Sequence, residues 1–474
     1  MTDSVKPALV RQLAEFGACT SFESLPAEAA GEAKRLLLDS VGCALGGLSV
    51  DKGRRALAVA KGMAGPPEVT VIGTGEKLPA SSAVFANGEL INALDYDALT
   101  IPPGHVAPYV IPAVVGMAEK QRSSGKSLIA ALAVAHEVSV RFGKSMGYYR
   151  DVKPGEKIKF PAISGFSSTI FGGTLGAAML RGLDSDRIAD ALGLAGHIAP
   201  VQTLGKWGRT LPGSDDKYLL SGWIGQAELL AVLMAENGYC GDVDVLEGEF
   251  GFWRFVGASG WKPEALTDGL GKAWRFPEVT IYKPWPHCRN SNTALDCLRH
   301  LIDVHDLRPE EIESITAYWD SHTATLPLWT TKKIETFSDA QMSTAYGISM
   351  VVHGVEVGPA WYDRETLTNA KYLAFLDKIT LRPHPRFEEA LLDDPQSRIG
   401  SVEVVARGQT FHEERMFRKG SPATPETRMS DADLVAKFRH NASRVLTAEK
   451  SERIARSIMS LEGIRDVSEL TGMW

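Results

Sequence analysis

PAEAAGEAKRLLLDSVGCALGG, residues 26–47, is the stretch whose reading decides the fold. Ala33, Leu36, Leu37, Val41 and Leu45 recur at the spacing of one helical face. Pro26 suits a first-turn position, where its missing amide costs nothing, and Gly46-Gly47 predicts a C-terminal stop. The same texture continues outward in AALAVAHEV (130–138), GGTLGAAML (172–180) and ADALGLAGHIA (189–199). Alanine and glycine repeated inside helical patterns let helix axes approach closely, so residues 1–278 are expected to form tightly packed helices. Glu137 and Arg141, four apart in the favourable order, read as a helix-stabilising pair contributing about a few tenths of a kcal/mol.

Beyond residue 278 the pattern changes. SITAYWD (314–320), KITLRPH (378–384) and IGSVEVVARGQTFHEERMF (399–417) carry the β-branched, alternating character of strands. Helical stretches lie between them, NTALDCLRHLIDVH (292–305) and FSDAQMSTAYGISMVVHG (337–354). Residues 279–415 are therefore expected to be an α+β domain. The last part, 416–474, begins with a Pro/Gly-rich connection, RKGSPATPETRM (418–429), followed by a helical region in which Ser430 with Asp433 predicts an N-cap. The expected architecture is mainly α with an inserted α+β domain. A large helical domain is built from both chain ends, 1–278 and 416–474, and a smaller α/β lid occupies 279–415.

Composition narrows the function. The chain has 474 residues, 44% hydrophobic and 23% charged, which excludes collagen-like, disordered and coiled-coil classes. Its net charge of −7 disfavours nucleic acid or an anionic membrane as partner, since each needs a basic footprint. A few lysines in one pocket still permit an acidic substrate. Five scattered cysteines without a C-x-x-C pair suggest neither a disulfide framework nor a thiolate metal centre. No signal-length apolar start and no spanning run is present, so a cytoplasmic, soluble protein is expected.

Three loops carry chemistry. In ANGELINALDYDALTIPPGHVAP (86–108), Asp95 and Asp97 end a helical pattern and a Pro-Pro-Gly bend presents His105. A carboxylate bonded to one imidazole nitrogen fixes the tautomer and leaves the other nitrogen as base or acid. In TLGKWGRTLPGSDDKYLL (203–220), Lys206, Arg209 and Lys217 cluster before a helix, as a carboxylate clamp or as a solvated face. In VTIYKPWPHCRNSNTALD (279–296), Lys283, His287 and Arg289 lie on a proline-punctuated turn whose following helix offers free amides to an anion. Tyr346 sits on an amphipathic helix, where a core position with a wet hydroxyl is the ordinary reading. Phosphate-loop, nucleophile-elbow and H-E-x-x-H motifs are absent, and VIGTGEKLPA (71–80) lacks the third glycine of a dinucleotide site.

In order, LLLDSVGCALGG, ANGELINALDYDAL with His105, GFSSTIFGGTLGAAMLRGLD, KYLLSGWIGQAELLA with VLEGEFGF, YKPWPHC, FSDAQMSTAYGIS and KGSPATPETRMSDADLVAKF resemble the MmgE/PrpD family. That family includes 2-methylcitrate dehydratases, cis-aconitate decarboxylases and an iminodisuccinate epimerase. The resemblance runs from about residue 26 to about residue 442. It implies a helical domain with an α/β lid, a homodimer, and a site between the domains that uses neither metal nor cofactor. By position it puts Asp95, His105, Lys217, Lys283 and Tyr346 in the pocket, with His105 oriented by Asp95 and the lysines opposing charge that builds on substrate carboxylates. Asp97, Leu99, Ser167, Lys206, Arg209, His287 and Arg289 are the expected substrate-binding residues. Ser167 replaces a histidine that many members carry, and Leu99 replaces the decarboxylases' threonine. The expected activity is therefore a hydro-lyase acting on a small hydroxy-polycarboxylate of the 2-methylcitrate type. The alternatives are an epimerase or isomerase, a decarboxylase, or a non-catalytic carboxylate-binding relative.

Overall fold

The structure, a computed structural model, describes residues 8–147, 150–159, 161, 165–217, 219–258 and 260–474. It is 55% helix and 8% strand, the mainly α fold with an α/β portion that the periodicity predicts. The longer helices are α1 (Leu9–Cys19), α2 (Ala27–Leu48), α3 (Asp51–Lys61), α4 (Ala80–Asn92), α5 (Ala107–Lys120), α6 (Gly125–Ser145), α7 (Thr169–Arg181), α8 (Ser185–Ile198) and α9 (Ser221–Glu236). After them come α10 (Asn292–His305), α11 (Thr344–Val352), α12 (Asp431–Ala442) and α13 (Ala448–Met459).

The deciding helix α2 ends at Leu48, one residue past the Gly46-Gly47 stop that the sequence predicts, and Pro26 is its N-cap. The glycines serve packing: a β-carbon on Gly46 would stand 3.0 Å from the Leu94 side chain, and one on Gly47 would collide with the Leu90 carbonyl of α4. On another face Gly42 lets α12 approach, a β-carbon there lying 3.1 Å from the Phe438 backbone. Helices from the two ends of the chain thus share one core. Ser430 caps α12 with Asp433 in a reciprocal capping box, as its spacing predicts.

Four strands, β6 (Ile312–Trp319), β7 (Ile379–Pro383), β8 (Gly400–Ala406) and β9 (Gln409–Arg415), form a sheet of order β7-β6-β8-β9. Only β6 and β7 run parallel, and the helical segments between them make that crossover. Short pairs complete the strands: β1 (Val69–Thr70) with β2 (Lys77–Leu78), and a three-stranded patch of β3 (Leu99–Thr100), β4 (Gly104–His105) and β5 (Thr280–Ile281). That patch positions the site, because it ties the loop after α4 to the turn that follows β5.

One buried pair behaves differently from its sequence reading. Glu137 and Arg141 are fully buried, joined at 2.7 Å. Arg141 also donates to the carbonyls of Leu266, Asp268 and Ala273, and Glu137 accepts from the amides of Arg275 and Phe276. The pair therefore binds α6 to the 266–276 segment, well beyond a surface helix pair. On α9 mostly small residues face the core, while Leu230 is half exposed.

Glu228 on that buried face has no hydrogen-bond partner for either carboxylate oxygen among the described residues. It lies against Gly173 of α7, and burial pushes its carboxyl well above the ordinary range. His136 on α6 donates from Nδ1 to the Leu132 carbonyl, and burial pushes it down to about 4 from 6.5. The two should titrate stability with opposite signs. Unfolded Glu228 ionises above about pH 4.5 while the folded form holds its proton, so its cost grows as pH rises. Unfolded His136 takes a proton below about 6.5 while the folded form does not, so its cost grows as pH falls. Denaturant unfolding at pH 5 and 7 should show the advantage of Glu228→Met over the wild type growing toward pH 7. For His136→Leu, stability relative to the wild type should instead rise by roughly 2 kcal/mol toward pH 5. A parallel pH response of variant and wild type would refute either assignment.

Candidate active site

The loop between α4 and β3 turns back sharply because Asp95 adopts the left-handed region, at φ 51°. A non-glycine residue pays about 1 kcal/mol or more for that conformation, so surrounding contacts must hold it. Leu99 on β3 then pairs with His105 on β4 and Ile281 on β5. Directly opposed residues of antiparallel strands share a face, so Leu99 lies beside the imidazole. Gly104 has φ 138°, and a β-carbon there would stand 2.6 Å from the Phe166 ring. Only glycine admits both that angle and the edge-on packing of Phe166 against His105, with ring centroids 5.8 Å apart.

His105 Nδ1 lies 2.6 Å from Asp97 Oδ2. Asp97, not Asp95, is therefore the carboxylate that orients the imidazole; Asp95 Oδ1 lies 3.5 Å from Nε2 on the other side of the ring. The chain reversal at Asp95 explains the exchange of roles, since it sends the two aspartates to opposite ring nitrogens. Asn92, at the end of α4, completes the arrangement. Its Nδ2 donates to Asp97 Oδ1 at 2.9 Å and its Oδ1 accepts from Lys217 Nζ at 2.8 Å.

Lys217 and Lys283 converge on Asp95 from distant sequence, at 3.0 Å to Oδ1 and 3.3 Å to Oδ2. Lys217 also donates to the Asn92 carbonyl, and Lys283 to the carbonyls of Asp95 and His287. Every ammonium hydrogen thus has a protein acceptor, so these lysines hold Asp95 and its loop and act on a ligand through their field. All five residues of this cluster (Asp95, Asp97, His105, Lys217, Lys283) are at most 2% exposed. Burial alone would push the Asp95 carboxyl up, but Lys217, Lys283 and His105 outweigh it and hold it well below the usual range. For Asp97 the desolvation is likewise outweighed, chiefly by His105, and its carboxyl is lowered. Burial is the larger effect on His105 and lowers it to about 4 against the pull of Asp97, so the imidazole is neutral near pH 7. With Nδ1–H donated to Asp97, the lone pair is on Nε2.

Asp95, Asp97 and His105 bring ligating atoms within 4.8 Å of one another, a geometry that could hold a cation. Two ammonium groups already supply positive charge to Asp95 there, which weighs against a divalent ion in that place.

The remaining expected residues divide. Arg289 is half-buried, with a guanidinium nitrogen 3.5 Å from where a β-carbon on Gly104 would stand, at the His105 corner. His287 is buried framework, with Nε2 3.0 Å from the Ser343 carbonyl, Nδ1 2.9 Å from Ser291, and burial lowering it to about 4. Ser167 is buried next to Phe166, its hydroxyl given to the Pro200 carbonyl. Lys206 and Arg209 do not join Lys217: both are exposed, and Arg209 bonds the Gly205 carbonyl. A four-residue helix, Leu204–Trp207, buries Leu204 and Trp207 and thereby turns Lys206 outward. Tyr346 is buried and its hydroxyl donates to the Trp361 carbonyl, the core role of an amphipathic-helix tyrosine. From the same motif it is Gln341 that reaches the site loop, donating to the Ala93 carbonyl at 2.5 Å. The sequence reading missed Gln341 and Asn92; the signal for Asn92 was an amide at the end of an otherwise apolar helical pattern.

The family model of the MmgE/PrpD N-terminal domain matches residues 11–264, and that of the C-terminal domain residues 285–462. A cis-aconitate decarboxylase-like protein of Aspergillus oryzae is 27% identical over 95% of this chain and 93% of its own. The cis-aconitate decarboxylases of Aspergillus terreus and Homo sapiens are 23% and 24% identical, over 98% and 92% of this chain and 96% and 88% of theirs. These names support lyase-type chemistry. Among the described residues no helix is long and apolar enough to cross a membrane.

Proposed function

This chain belongs to the MmgE/PrpD family, and from that premise we propose that it is a lyase that removes water from a small hydroxy-polycarboxylate. The observation that carries the reading is the buried Asp97–His105 pair, which leaves a neutral Nε2 lone pair as a base. Nε2 takes the proton from the carbon next to a carboxylate, and the C–H electron pair moves into that carboxylate. As the alkene forms, the C–O bond to the β-hydroxyl breaks and the imidazolium returns its proton to the departing oxygen, giving water. Asp97 stabilises the transient imidazolium, and a positioned base of this kind supplies roughly two to four powers of ten in rate. The half-buried Arg289 at the His105 corner supports a contact to a substrate carboxylate in this reading, while Lys217 and Lys283 set a positive field.

The relatives favour a second reading, decarboxylation of an unsaturated tricarboxylate. That reaction needs a protonated His105 to deliver a proton after carbon dioxide leaves. The burial that holds His105 neutral beside Asp97 supports dehydration over it.

Incubating the protein with 2-methylcitrate, citrate and cis-aconitate in deuterated water separates the readings. Alkene absorbance from a hydroxy acid, lost in His105→Ala, is the expected result. Carbon dioxide from cis-aconitate with no dehydration would replace it with the second reading. Deuterium exchange at carbon without alkene would make the protein an epimerase.

A further inference from the structure

Lys437 comes from α12, near the far end of the chain, yet its ammonium is buried beneath the loop that carries Asp95 and Asp97. It donates to the Tyr96 carbonyl at 2.7 Å and to Asp39 Oδ1 of α2 at 2.7 Å. The other oxygen of Asp39 accepts the Ala98 amide at 2.9 Å. The Tyr96 carbonyl belongs to the peptide before Asp97 and the Ala98 amide to the peptide after it. Peptide units are rigid planes, so holding both planes fixes the two torsions at Asp97 and with them the direction of its side chain. The ammonium also lies 3.8 Å from the centre of the Tyr96 ring, whose hydroxyl donates to the Pro284 carbonyl beside Lys283.

A buried ion pair is weak evidence of stabilisation, because desolvation offsets most of its attraction and apolar residues would join α2 to α12 as well. What apolar residues would not supply is two directed hydrogen bonds on one loop, at a place where the left-handed Asp95 strains the chain. We propose that Lys437 and Asp39 are positioning residues: a bracket that aims the Asp97 carboxylate at His105 Nδ1. The proposal rests on the proton-transfer reading above.

The decisive variant is Lys437→Met combined with Asp39→Asn, which removes both charges and leaves neither uncompensated. Readouts are circular dichroism, kcat and KM, and the deshielded NMR signal of the His105 Nδ1 proton in its short hydrogen bond, assigned by its absence in His105→Ala. The expected result is a folded protein with kcat lowered by about 100-fold, the scale of a misplaced catalytic group. KM should change by no more than about threefold, and the deshielded signal should shift or vanish. If the double variant does not fold, Asp39→Asn alone, which keeps an oxygen acceptor, carries the same readouts with a smaller loss in kcat. A folded variant whose signal is intact overturns the bracket, whether or not activity falls. So does a raised KM with unchanged kcat. Undiminished turnover in His105→Ala would instead overturn the proton-transfer reading, while the NMR signal of the Asp97 contact still tests the bracket.

Discussion

Asp97→Asn is expected to slow turnover by about three to four powers of ten while leaving the fold and KM nearly unchanged. The size follows from a chain of hydrogen bonds that dictates which way the new amide points. Lys217 has only donors, so Asn92 must offer it Oδ1, at 2.8 Å. Asn92 Nδ2 therefore faces residue 97, where it now meets a carboxylate oxygen at 2.9 Å. An asparagine at 97 satisfies that donor only with its own carbonyl, which turns its amide nitrogen toward His105 Nδ1, where a carboxylate oxygen now stands at 2.6 Å. Nδ1 must then accept, its proton moves to Nε2, and the base is gone. Steady-state kinetics of Asp97→Asn against Asp97→Glu check this, and a loss in the asparagine variant of less than about tenfold would break the assignment of Asp97 as orienter.

How much of this was legible depended on whether the signal was local. Helices such as α2 and α10 were readable because periodicity is a property of a dozen neighbouring residues. Strands β6, β8 and β9 showed alternation for the same reason. The patch that joins the two halves of the site has two-residue strands, too short to carry any period. Residue types pointed to Asp95, His105, Lys217 and Lys283, and the structure brings those four together. Their partners were not legible. Which aspartate orients His105 depends on one positive φ, and which of three neighbouring cations turns inward depends on a single helical turn. Gly46 and Gly47 marked the end of α2 to within one residue, but their second role, close packing on α4, was not legible because a glycine looks the same at a helix end and at a helix crossing.

The second large effect concerns the ammonium groups. Lys283→Met is expected to lower kcat by about two to three powers of ten and to destabilise the fold by about 3–5 kcal/mol. The stability loss arises because Asp95, 2% exposed at its side chain, keeps its charge only against Lys217 and Lys283. With one removed, burial raises its carboxyl, and the nearest relief is a proton shared with His105 Nε2, 3.5 Å away. Such sharing occupies the lone pair that proton abstraction requires, so stability and activity fall from one cause. The causes separate in the double variant Asp95→Asn with Lys283→Met. Asparagine tolerates the left-handed conformation of residue 95, and the pair is then neutral. Thermal unfolding should recover toward the wild type while kcat stays low, because an amide beside Nε2 neither supports an imidazolium nor restores the field of Lys283. Recovery of both would mean that the buried ions serve only to hold the loop, and that Asp97 and His105 need no charge beside them to move a proton.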